Sequence, residues 1–361
     1  MKLSVVASYD PREWWYGHLC RALALEAEMR SFPGFTEVSP GYSWETPLAD
    51  LIGGDFEDGV YLGSVNAVHP DLWNLPSLTT TWTDYLPELG YQEEILKMYD
   101  VLFATCYEGV GQWKALGVEE VYYLPFAFDD LLPANAPLEE KVELAFVGAT
   151  NLPIHALRRR YLPELMRRFR MNDFQRRYSQ SETAGIYASA KIVVNITELV
   201  GFNMRNFEAM GMGAMLLTPN TGYGVPQLFQ DGVHLVVYDG IEDLLEKASY
   251  YLAHDEERTK IAEAGRKEVL SKHTYRHRAR EFLRVTGEAR ERRGIARKRA
   301  TPAMAYANFY RHHRRLDKLA EVLCGRGLTL GHRVRVVRQM AACLASLCRS
   351  GSKLSLPQWQ P

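Results

Sequence analysis

The chain has 361 residues, 47% of them hydrophobic and 24% charged, which is the composition of an ordinary globular protein long enough for two domains and excludes collagen-like, disordered and disulfide-scaffold classes. Its 43 Lys plus Arg balance 44 Asp plus Glu, so no global field recruits nucleic acid or an acidic substrate. The balance conceals an asymmetry, because from Arg276 onward 20 Lys or Arg stand against 5 Asp or Glu, a basic tail on an acidic body.

Residues 1–10, MKLSVVASYD, hold an apolar run shorter than a signal-peptide core and read as a first strand over 3–7. Further strands are expected at 60–63, 78–82, 101–105 and 121–124. Between them the spacing of Leu19, Leu23 and Ala27 predicts a helix over 16–30, and a second helix over 108–116 ends at Gly117, a suitable C-cap. Residues 125–141 carry Pro125, Pro133 and Pro137 among Asp and Asn and read as a linker. The alternation then restarts with strands at 142–147, 192–196, 215–218 and 235–237. Ile241, Leu244, Leu245, Ala248, Tyr251 and Leu252 form one apolar helical stripe. Residues 276–299 and 303–323 read as helix, with a weak strand pattern at 334–337. Strands alternating with helices predict parallel sheets in two α/β domains, followed by an α-helical appendage. No stretch approaches the roughly 20 apolar residues that cross a bilayer, so membrane contact would be peripheral. Five cysteines without CxxC spacing suggest neither a zinc ribbon nor a disulfide framework and fit a reducing cytoplasm.

Standard catalytic signatures are missing: there is no GxGxxG, P-loop, HExxH or GxSxG, and no Asp-x-Asp pair to hold a divalent metal. Asn195-Ile196-Thr197 matches a glycosylation acceptor, but it ends an apolar strand and reads as chance. The informative stretch is 191–213, KIVVNITELVGFNMRNFEAMGMG, in which an apolar strand runs into a polar loop and then a helix opening with Arg205, Asn206 and Glu208. Open α/β sheets bind ligands at such junctions. A helix N-terminus attracts phosphate, Arg205 adds a charge that does not titrate, and a Glu one turn in can accept from ribose hydroxyls. On spacing alone, Glu208 complementing the helix dipole and Arg205 as a solvated charge weigh equally.

The run NMRNFEAMGMGAMLLTPNTGYGVPQLFQDGVHLVVY, continued by DLLEKASYYLAHDEERTKIAEAGRKEVLSKHTYRHRA and supported upstream by VELAFVGATN and KALGVEEVYYLPFAFD, resembles CgeB-like glycosyltransferases of glycosyltransferase group 1. The resemblance implies a GT-B architecture: two Rossmann-like domains, 1–132 for the acceptor and 133–280 for the nucleotide-sugar donor, facing across a cleft, with 281–361 as a basic helical extension. It places Glu208 on the donor ribose, Arg205 and Asn203 near the diphosphate, and Gly148 at a close backbone approach, with Asn206 also among the donor-binding residues. No metal or other cofactor is then expected, since cationic side chains and helix N-termini stabilise the leaving diphosphate. One departure stands out: many relatives carry a second glutamate eight positions before this one, where Val200 stands here, the nearest upstream acid being Glu198.

On the acceptor side, Asp84 follows an apolar strand and is a candidate general base, with N-capping of the next turn as the competing role. His69 is a second candidate. Trp14, Trp15 and Tyr16 would stack on a sugar face or pack in the core, and Tyr178 and Gln180 would contact the base or stay in solvated loop.

The leading expectation is a metal-independent glycosyltransferase, cytoplasmic with room for a peripheral place at the inner membrane face, moving a sugar from a nucleotide-sugar to a glycan, lipid-linked or protein acceptor, with no nucleic-acid partner. Two alternatives stand beside it: a degenerate scaffold whose basic tail docks anionic lipid or nucleic acid, and a sugar-nucleotide epimerase on the same fold.

Overall fold

The computed structural model describes residues 4–9, 14–33, 59–64, 75, 77–83, 96, 99–131, 142–150, 155–197, 203–221, 224–293, 319–320, 323–324 and 330–350. Two parallel sheets organise it. The first has six strands in the order β2-β1-β3-β4-β5-β6: β1 (Ser4–Tyr9), β2 (Glu28–Pro33), β3 (Val60–Gly63), β4 (Leu78–Thr83), β5 (Val101–Ala104) and β6 (Val121–Tyr123). The second runs β10-β9-β8-β7, with β7 (Leu144–Ala145), β8 (Ile192–Val194), β9 (Met215–Pro219) and β10 (Val236–Tyr238). All recorded pairings between these strands are parallel.

Burial on both faces explains the strand sequences. β3 and β5 are buried at every position, the near-continuous apolar pattern of a parallel sheet covered on two sides. β4, LTTTWT, is buried from Thr79 onward although rich in threonine. Thr80 donates to the Tyr61 carbonyl at 3.0 Å and Thr79 to Asp100 Oδ2 at 2.8 Å, so these two keep strand propensity with paired hydroxyls, whereas the buried Thr81 hydroxyl meets no hydrogen-bond partner.

The expected helix over 16–30 is corrected at both ends. Helix α1 spans Trp14–Glu26, and residues 28–33 form β2, the edge strand, which the helical spacing of Ala27 masked. Helix α2 (Tyr107–Ala115) ends as predicted, with Gly117 at φ 86°, a conformation cheap only for glycine. Around the second sheet lie α3 (Ala156–Arg168), α4 (Gln180–Ser189), α5 (Met204–Gly211), α6 (Val225–Leu228), α7 (Gly240–Ala253) and α8 (Asp255–Lys272). The apolar stripe of α7 buries Ile241, Leu244, Leu245 and Ala248 as the spacing predicts. Helix α9 (Tyr275–Arg293) carries the expected continuation, and α10 (Leu330–Ser350) replaces the weak strand at 334–337. Of residues 303–323 only 319–320 and 323 are described, and these are helical.

Two crossings join the sheets, and they touch. Phe128 and Thr274 form a parallel bridge, Phe128 N donates to His273 O at 2.9 Å, and Tyr275 N donates to Phe128 O at 2.9 Å. Buried Arg278 clamps both, donating to the carbonyls of Pro125 (2.9 Å), Phe126 (3.3 Å) and Lys272 (3.3 Å) and meeting His273 Nδ1 at 3.1 Å. Helix α9 then returns to the first sheet, where Phe282 meets Phe103 with ring centroids 5.0 Å apart.

Candidate functional site

Asn195, the first residue past strand β8, is fully buried. Its side-chain amide donates to Thr218 Oγ1 at 3.1 Å, while its Oδ1 accepts from Arg205 Nη1 at 2.7 Å and from Asn203 Nδ2 at 3.0 Å. Its carbonyl accepts from the Tyr238 hydroxyl at 2.6 Å. A buried amide satisfied on both sides fixes its partners. Asn195 therefore organises the junction, and the tripeptide that reads as a chance glycosylation match marks a strand-end residue bonded to three elements.

Arg205, in the first turn of α5, is 8% exposed. Its Nε and Nη2 donate to the Val147 carbonyl at 3.1 and 2.6 Å, and its guanidinium lies 4.4 Å from the centroid of Phe146. It is therefore neither solvated nor loose. Gly148 follows the carbonyl it holds, and a Cβ there would lie 2.3 Å from Arg205 Nη2, so the close approach expected of Gly148 is made to this guanidinium. A second arginine, Arg158 on α3, takes the other flank: it lies 5.6 Å from the Phe146 centroid and donates to Ile196 O and Ala149 O, both at 2.8 Å. Sequence reasoning passed over Arg158; the signal was Arg158-Arg159-Arg160 a few residues after the GATN turn.

A cavity of about 560 Å³ opens beside these groups, and Arg158, Gly148, Asn203, Arg205 and Glu208 all line it. Asn206 is fully buried and off the cavity lining. Glu208 stands one turn into α5. Burial pushes its carboxyl up to about 7, with the Arg205 charge opposing and the Asp129 charge adding to the rise. A carboxyl raised toward neutrality by burial is poised to change charge when a ligand arrives. Tyr178 and Gln180 also line the cavity, at the start of α4; the Tyr178 hydroxyl donates to Asp173 O at 2.9 Å and Arg176 lies 5.0 Å from its ring centroid.

The opposite wall comes from the first sheet and the crossings. His18 on α1, Asp129 just past β6 and Tyr275 at the start of α9 line the same cavity. His18 Nδ1 lies 2.5 Å from Asp129 Oδ2, and Arg21 Nη2 lies 2.6 Å from that oxygen and 2.5 Å from Nδ1. The His18 ring stacks on Tyr275, centroids 5.1 Å apart. Desolvation acts to raise the Asp129 carboxyl, but hydrogen bonds from His18 and Arg21 prevail and hold it below its ordinary value. An ionised Asp129 can accept the Nδ1 proton and orient the ring, and Arg21 is then served by the carboxylate alone. Neither residue was singled out from sequence, because 111 positions separate them.

The acceptor-side candidates Asp84 and His69 lie outside the described residues, as do Glu198 and Val200. Of the aromatic cluster, Tyr16 is fully buried, with its hydroxyl bonded to the Trp82 and Gly63 carbonyls, and the Trp15 ring meets Phe126 edge-on at 6.4 Å. Both serve packing. Among the described residues no three His, Cys, Asp or Glu side chains gather as metal ligands.

Residues 136–284 match the model of a family described as glycosyl transferase-like. This segment carries the second sheet, α3 through α8 and the start of α9. No curated protein matches the chain. Among solved structures, a glycosyltransferase from Rickettsia africae superposes with a TM-score of 0.57 at 11% identity, over 81% of this chain and 99% of the other. HepE from Anabaena, solved with UDP and glucose, gives 0.57 at 10% identity over 80% and 100%. TarM from S. aureus gives 0.50 at 10% identity over 66% of this chain, which spans 57% of TarM's length. The chain has the GT-B fold. At these identities the likeness is one of architecture, and within the GT-B frame the cavity lies between the two parallel sheets, beside the crossings.

Proposed function

We propose that this GT-B protein transfers a sugar from a nucleotide-sugar donor to an acceptor hydroxyl without a divalent metal. One observation carries the reading: Glu208 and Arg205 of the second sheet and His18 with Asp129 of the first share one cavity of about 560 Å³. The glycosyl transferase-like match over 136–284 and a GT-B relative solved with UDP-glucose support the donor class. The narrower CgeB-like assignment rests on the NMRNFEAMGMG stretch.

In this reading the ionised Glu208 carboxylate accepts from the donor ribose, and Arg205 with Arg158 faces the diphosphate. As the bond from the anomeric carbon to the diphosphate breaks, its electron pair leaves with the phosphate. Guanidinium groups already fixed by backbone carbonyls meet that charge with little reorganisation. Across the cavity, His18 takes the acceptor's proton as the new carbon–oxygen bond forms, and Asp129 stabilises the resulting imidazolium. His18 fills the role the sequence offers to Asp84 and His69. Asn203 acts through Asn195, as a positioning residue. The acceptor is a glycan, a lipid-linked sugar or a protein.

The test is calorimetry with nucleoside diphosphates, followed by incubation of the matching nucleotide-sugar and product analysis. Donor-dependent glycoside formation with chelator present supports the proposal. Release of a free or epimerised sugar from the donor, with no glycoside from any acceptor, would replace it with hydrolytic or epimerase chemistry. No affinity for any nucleotide would leave the scaffold reading.

A further inference from the structure

Residues 294–361 contain 13 Lys or Arg against only Asp317 and Glu321. Helix α10, Leu330–Ser350, carries Arg333, Arg335, Arg338 and Arg349 and no acid along its 21 residues. At 100° per residue, Leu330, Val334, Val337 and Leu344 fall within one stripe. All four are exposed, at 79%, 46%, 50% and 42%. Scattered surface leucines are ordinary, but four large apolar side chains aligned on one face are a patch. Among the described residues, α10 is anchored where Val336 packs on Leu319 with Leu323 and Met340 beside them, and where the Arg333 guanidinium donates to the Leu323 carbonyl. Arg335 and Arg338 are exposed. The helix is not apolar enough to cross a membrane.

We propose that α10 is an interfacial helix that lies in the surface of an anionic lipid bilayer. The stripe of Leu330, Val334, Val337 and Leu344 enters the boundary between headgroups and acyl chains, Arg338 meets lipid phosphates at its edge, and Arg335 adds its charge from farther round the polar face. Charge complementarity selects this occupant. A second copy of the helix would set arginine against arginine with no acid on either helix to offset them. Nucleic acid would engage the arginines and leave the stripe in water. Position along the chain also sharpens the basic-tail expectation, whose residues Arg311, Arg314, Arg315 and Lys318 lie outside the described residues.

The experiment is co-sedimentation of the full chain with phosphatidylglycerol-containing vesicles and with phosphatidylcholine vesicles, at low and high salt. Two double variants accompany it, Arg335→Gln with Arg338→Gln and Val334→Ser with Val337→Ser. None of these positions lines the cavity, so nucleotide affinity and the melting curve serve as fold controls, and sugar transfer does not enter the measurement. The wild type should pellet with the anionic vesicles only. Each basic residue at such a surface is worth about fivefold in partitioning, so the arginine pair should lower binding roughly 30-fold at low salt. Loss of the apolar pair should lower it roughly tenfold or more at both salt concentrations. Wild type that ignores lipid charge, or an apolar pair that binds as well as wild type, overturns the proposal. So does a concentration-dependent dimer by light scattering that the apolar pair abolishes in a chain that never pellets.

Discussion

His18 and Asp129 stand 111 positions apart, yet their Nδ1 and Oδ2 atoms meet at 2.5 Å, with neither side chain more than 3% exposed. The contact joins α1 of the first sheet to the segment that begins the crossing, and Tyr275 from the return crossing stacks on the same imidazole. This wall of the cavity is therefore built at the junction of the sheets.

If this pair handles the acceptor proton, His18→Gln should lower turnover by roughly 10² to 10⁴ and leave nucleoside diphosphate affinity within about twofold. Asp129→Asn should give a smaller fall, since the ring remains but its orientation and charge partner change. Steady-state kinetics beside calorimetry separates the two effects. Equal loss of nucleotide affinity would move His18 to the donor side.

Glu208→Gln should weaken nucleotide binding roughly tenfold to a hundredfold, the worth of one charged hydrogen bond. The pH dependence is specific. With a carboxyl near 7, wild-type affinity should fall as pH drops below about 7, because the protonated group no longer accepts from two hydroxyls, and the Gln variant should be flat.

The same carboxyl sets a stability slope. Its folded value lies above the ordinary 4.5, so the native state binds more protons than the unfolded state between roughly 4.5 and 7. Stability from this group is full below about 4.5 and is lost as pH rises to about 7, by at most about 3 kcal/mol. Melting of the unliganded protein at pH 8 should therefore be higher in Glu208→Gln than in wild type.

Gly148→Ala should act on the donor site through Arg205. A Cβ would stand 2.3 Å from Nη2, and three hydrogen bonds hold that guanidinium where it is. Displacing it should cost nucleoside diphosphate affinity roughly tenfold while nucleoside affinity without phosphate is unchanged. Parallel titrations with nucleoside and diphosphate test this.

Arg278→Leu should destabilise the protein by about 3 kcal/mol or more, because it strips a charged donor from three carbonyls where the crossings meet. Urea unfolding monitored by tryptophan fluorescence measures this, and an unchanged midpoint would show that the carbonyls find other donors.

Sequence by itself determined the parallel α/β character, because a strand buried on both faces must be apolar or β-branched along its length, and β3, β5, β8 and β9 are. It marked the strand-to-helix junction that carries Arg205 and Glu208, and the α7 stripe, since both are local patterns of period and charge. It failed where local patterns compete. β2 follows α1 after one residue, so Ala27 extended the helical period into a strand that exists only because β1 offers an edge. In α10, Val334, Arg335, Val336 and Val337 have strand-like propensity and no sheet beside them, and a helix satisfies the backbone alone. Tertiary structure decided which polar groups converge. Asn195 reads as a strand end, and Arg158, His18 and Asp129 read as ordinary polar residues, until two sheets and a pair of touching crossings bring them to one cavity. The physical reason is distance along the chain: hydrogen bonds across 111 residues leave no periodicity, so only the packing of the sheets selects them.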